Sequence, residues 1–141
     1  MPPTPGPKTQ AEKDRDAKLA PYATAVKAGK SLLTRRIHQA EKKLQAYVNA
    51  PASYGANQEM ANARELVREA AKRVEDAYTK ISTVDQPEQF DEYMKRLDAE
   101  VDRADTMADA ITELIIAREM ELRQQDETCL LYTSPSPRDR G

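Results

Sequence analysis

From Met60 to Val84 an apolar residue returns at steps of three and four without a miss: Met60, Ala63, Val67, Ala70, Val74, Ala77, Ile81 and Val84. Only a helix carries residues at that spacing on one face. A mean step near 3.5 is the seam of helices packed side by side. Alanine recurs in the seam, so a neighbouring backbone can come close. A stripe this narrow is not a fold by itself, and the rest of the chain must supply helices to cover it.

Both flanks do. Leu33, Ile37, Ala40, Leu44 and Tyr47 continue the same spacing, with Val26 one heptad before Leu33. They predict a helix over about 23–50. Residues 51–57, PASYGAN, are turn-rich, and the middle helix is expected over about 58–83. Downstream, Asp85 and Glu88 stand three apart around Pro87, a capping-box pattern for a third helix. Phe90, Met94, Leu97, Val101, Ala104, Ala108, Ile111 and Ile115 give that helix its stripe, expected over about 87–124. Three long amphipathic helices with short connections predict an all-α fold, an antiparallel bundle or coiled coil. Residues 23–127 are the expected domain. Residues 1–20, with four prolines among the first seven, are expected to be disordered, and Pro21 to mark the boundary.

Composition agrees. One third of the residues are charged, tryptophan is absent and phenylalanine occurs once, the profile of long helices around a thin aliphatic core. The charge is segregated. Lys27–Lys43 carries a net +5 and Asp85–Glu113 a net −7, so the first and third helices are expected to lie side by side as opposites. No apolar run approaches the ~20 residues that a bilayer requires. With no apolar leader at the N-terminus, an intracellular, cytoplasmic location is expected.

The ending CLLYTSPSPRDRG, residues 129–141, breaks the pattern. One permitted codon choice for Cys129–Asp139 is the reverse complement of the transposase end and primer site of tagmentation sequencing libraries. The stretch therefore resembles a translated adapter, and the natural sequence is expected to stop matching near Glu127, truncated there. Setting it aside removes Arg138, Asp139, Arg140 and the single cysteine, and takes the net charge from −2 to −3.

Catalytic chemistry finds little footing. His38 is the only histidine, and H-x-x-x-H or C-x-x-C metal spacing is absent. Ala28-Gly29-Lys30-Ser31 ends like a phosphate-binding loop, but the required first glycine falls on Thr24. Asp98, Asp102, Asp105 and Asp109 share a helical face beside the apolar stripe, as a solvated flank does. An enzyme, a cofactor and a small-molecule substrate are therefore not expected. The basic run GKSLLTRRIHQAEKK could meet RNA or an anionic membrane surface through Lys30, Arg35, Arg36, Lys42 and Lys43, but no aromatic residue is interleaved for base stacking.

The order of features has a parallel. AGKSLLTRRIHQAEKKLQAY is followed by a turn, a helix containing AYTKI, and a helix opening EQFDEYMKRLDAEVDRADTMADAI. This resembles the N-terminal helical region of Gag-like polyproteins of metazoan BEL/Pao-type LTR retrotransposons. Leu33, Thr34, Arg35 and Ile37 match an L-T-R-x-I-like stretch, and Phe90 and Tyr93 an aromatic start to the acidic helix. The resemblance covers about residues 27–117. It implies an assembly or scaffolding segment that self-associates or binds a helical partner. The core anchors expected from the stripes are Leu33, Ile37, Leu44, Val67, Val74, Leu97, Val101 and Ile111. A spectrin-like or coiled-coil adaptor is the alternative from cellular proteins.

Overall fold

The computed structural model describes residues 9–133, with side chains through Asp126. Three helices account for nearly all of it: α1 (Gln10–Asn49), α2 (Tyr54–Val84) and α3 (Phe90–Thr133), with one 3-10 turn, Pro87–Gln89, before α3. At a rise of 1.5 Å per residue they are roughly 60, 46 and 66 Å long. They run up, down and up. Contacts between α1 and α3 join residues a nearly constant distance apart in sequence: 69 for Thr34 with Arg103, and 70 for Val48 with Arg118. The outer helices are therefore parallel and in fixed register. The middle helix packs extensively against both, while α1 and α3 touch each other far less.

The core follows the stripes. Every α2 stripe residue from Met60 to Ile81 is buried, and Val84 is packed against the core. Of the expected anchors, Leu33, Ile37, Val67, Val74, Leu97 and Ile111 are buried; Leu44 and Val101 are half-buried and packed on the cluster. In α3 the stripe differs at its start. Phe90 is exposed, and Glu100 is buried beside Val101, its carboxylate held by Arg103 at 2.9 Å. Gly29 sits where α1 packs against Val74 of α2. A Cβ there would stand 3.3 Å from Val74 Cγ2.

The boundaries depart from the sequence in three places, each for a physical reason. First, α1 begins at Gln10 instead of near residue 23. Thr9 and Glu12 form a capping box, with Glu12 N–H donating to Thr9 Oγ1 at 3.2 Å and Thr9 N–H to Glu12 Oε2 at 3.3 Å. The expected disorder over 1–20 therefore fails for 10–20, while 1–8 lie outside the described residues. Pro21 lies inside the helix and ends nothing. Proline leaves the carbonyl four residues back, on Ala17, without a backbone donor, and both residues are exposed, so water can serve it. Leu19 is buried one heptad before Val26, and Tyr22 packs on the core, so the seam continues through the proline.

Second, α2 starts at Tyr54 instead of residue 58, because Ser53 caps it, accepting from Ala56 N–H at 3.0 Å. The turn shrinks from PASYGAN to 50–53. Third, Asp85 and Glu88 do not form a capping box. Asp85 closes α2, and the 3-10 turn before α3 has no side-chain cap. Beyond residue 126 the α3 backbone stays helical to Thr133, five residues into the adapter-like stretch; 134–141 lie outside the described residues.

Candidate interaction site

Each end of the bundle is closed by an arginine reaching from one outer helix to the turn joining the other two. At one end, Arg15 of α1 grips Asp85 in the α2–α3 turn, Nε to Oδ1 at 2.6 Å and Nη2 to Oδ2 at 2.7 Å. The Asp85 carboxylate also accepts from Gln86 N–H at 2.7 Å and from the Tyr93 hydroxyl. Arg15 chiefly, with Tyr93 and the Gln86 amide, holds this acid down at about 2 despite its burial. The Tyr93 hydroxyl is pushed up by burial and by donation to Asp85, and the Arg15 guanidinium is raised by the bond to Asp85.

At the other end Arg118 of α3 serves the α1–α2 turn. It lies over the Tyr47 ring, 5.6 Å from its centre, and donates to the carbonyl of Val48 at 2.9 Å. The last turn of α1 has no basic residue of its own, so α3 supplies the cation that its C-terminus favours. Tyr47 in turn donates to Asn57 Oδ1 at 2.5 Å, tying the end of α1 to the start of α2. Burial pushes the Tyr47 hydroxyl up.

Between these clasps the outer helices stand apart, and α2 floors an open groove of about 650 Å³. Val26, Ile81, Tyr78 and Tyr93 give it an apolar floor, and Lys27, Lys30, Arg96 and Arg103 a cationic rim. Tyr78 and Tyr93 meet at a tilt of 51° with ring centres 6.3 Å apart. Arg96 is shared with Glu92, and Arg103 with Glu100 and Thr34. Lys27 and Lys30 make no ion pair among the described residues.

The five basic residues singled out in the sequence all lie on α1. Lys30 lines the α1–α3 groove, Lys43 a cleft on the α2 side of α1, Arg36 bonds Gln39 on its own helix, and Arg35 and Lys42 are exposed. The hydrogen bonds from α3 to Thr34 and Val48 of α1 are not the expected pairing of opposite charges. The arms that cross from α3 are arginines, and they reach a hydroxyl and backbone carbonyls. Asp98, Asp102, Asp105 and Asp109 are exposed. His38 is exposed in a shallower cleft with Glu41 and Asp102. Among the described residues no group of three or more His, Cys, Asp or Glu could hold a metal ion. Nor is any helix there long and apolar enough to cross a membrane.

No family model, curated protein or solved structure matches the chain. What the site can do therefore rests on its own chemistry. It presents an apolar floor between cationic edges.

Proposed function

We propose that this chain is a non-catalytic helical assembly segment acting inside the cell, in keeping with its resemblance to the N-terminal region of BEL/Pao-type Gag-like polyproteins. The observation that carries this is the uneven packing of the three helices. Both outer helices are fastened to α2 and clasped at the ends, yet they leave an apolar, cation-edged groove uncovered between them. A groove of this kind along two parallel helices has room for a further helical element, as in a four-helix bundle.

The expected mechanism, self-association through the apolar stripes, needs revising. Leu33, Val67, Val74 and Ile111 already meet within one chain, so they stabilise the bundle and leave association to its outer surfaces. Light scattering on the eluting full chain tests the proposal. A mass that rises with concentration supports assembly; a monomer mass up to roughly millimolar concentration overturns self-assembly.

A further inference from the structure

We infer that copies of this chain associate head to tail, the acidic outer face of α3 in one copy seating in the α1–α3 groove of the next. The inference rests on the assembly function proposed above and names the two surfaces that carry it. On the groove side, Lys27 and Lys30 project without ion pairs beside Arg96 and Arg103, above a floor that includes Val26, Ile81 and Tyr93. On the other side, Asp98, Asp105, Asp109 and Glu113 are exposed on α3 at helical spacing and make no ion pair among the described residues. Each surface thus holds charge that pairs with nothing among the described residues, and the two are opposite in sign.

The groove follows α1 from Ala23 to Thr34, about 16 Å of helix, and the acids follow α3 from Asp98 to Glu113, about 22 Å, so the charged face spans the full length of the groove. One and two turns past the acids, Ile116 and Met120 are more than half exposed. They continue the face as an apolar extension beyond the acids. Because groove and face are different surfaces of one molecule, the contact is heterologous. After each contact a free groove and a free face remain, so growth continues unless the rotation closes a ring. Opposed charge sets register and partner choice more than raw affinity, so the association weakens as salt rises.

Two neutral double variants separate the surfaces: Lys27→Gln with Lys30→Gln in the groove, and Asp105→Asn with Asp109→Asn on the face. Helicity by circular dichroism checks that each is folded. Native mass spectrometry of the wild type is expected to give a series of oligomers, and each variant alone should bind at least about tenfold more weakly. A one-to-one mixture retains one intact groove and one intact face, so it should stop at a heterodimer and grow no further. In unmodified protein of mixed isotopic label, carbodiimide should join Lys27 or Lys30 of one copy to Asp105 or Asp109 of another. A wild type that stays monomeric overturns this inference together with the assembly function. Oligomers that both variants leave intact, with no such cross-links, overturn this inference alone.

Discussion

Replacing Asp85 with asparagine isolates the clasp that ties α1 to the α2–α3 turn. The carboxylate has no solvent-accessible surface and takes two hydrogen bonds from Arg15, one from Tyr93 and one from the Gln86 amide. Its acid strength in the fold, near 2 against the ordinary 3.8, amounts to roughly 2.5 kcal/mol at full weight. The clasp sits at a thin bundle end and Arg15 is one third exposed, so solvent screening brings the expected loss in Asp85→Asn to about 1–2 kcal/mol at neutral pH. That lowers the melting temperature by roughly 4–10 °C. The pH dependence follows from the depressed value. An acid that ionises more readily folded than unfolded stabilises the fold above its unfolded value. That contribution fades as pH falls from about 4 to about 2, where the folded state also takes up the proton. Urea melts followed by circular dichroism at pH 7, 4 and 2 should therefore find the gap between wild type and variant closing as pH drops. Equal stability at pH 7, or a gap undiminished at pH 2, would refute the clasp.

Three further substitutions probe other parts of the bundle. Gly29→Ala gains about 1 kcal/mol of helix propensity but presses Val74, so it should melt within about 1 kcal/mol of wild type, whereas Gly29→Leu should force α1 off α2 and lower stability sharply. Arg118→Met keeps the apolar stem but removes both the donor to the Val48 carbonyl and the cation over Tyr47; a loss of about 1–2 kcal/mol is expected in denaturant melts, with exchange protection reduced first near residues 47–50. Leu97→Asp places a carboxylate at a buried seam position and should abolish the cooperative transition, and unchanged helicity and melting would remove Leu97 from the core.

The seam was legible in sequence because burial imposes a period. From Met60 to Ile81 the apolar steps alone name the buried face of α2. The start of α1 was obscured by local chemistry. Pro21 and the charged residues before it argue for disorder, yet Leu19 stands one heptad before Val26 and Thr9-Gln10-Ala11-Glu12 spells a capping box. The tertiary contact of Arg15 with Asp85, seventy residues away, tips that balance. Asp85 misled for the opposite reason. Its spacing to Glu88 fits a local cap, but a carboxylate offered a half-buried arginine and a tyrosine makes the stronger set of bonds.

The groove was the least legible feature. It comes from helices that fail to meet, which no periodicity in one segment encodes. Lys27 and Lys30 could be read as basic, but their company with Arg96 and Arg103 depends on the register that the two clasps set. The same holds for Arg118. In the stripe of α3 it falls one heptad after Ile111, where an apolar residue is expected, and its bond to the Val48 carbonyl at the end of α1 accounts for a cation there.

Sedimentation velocity of the full chain, over about a hundredfold range of concentration and at low and high salt, tests assembly through the charged outer surfaces most directly. At low salt the average mass should climb well above the 15.8 kDa of one chain as concentration rises, and high salt should return it to that value. A single 15.8 kDa species under every condition, or association that strengthens with salt, would contradict it.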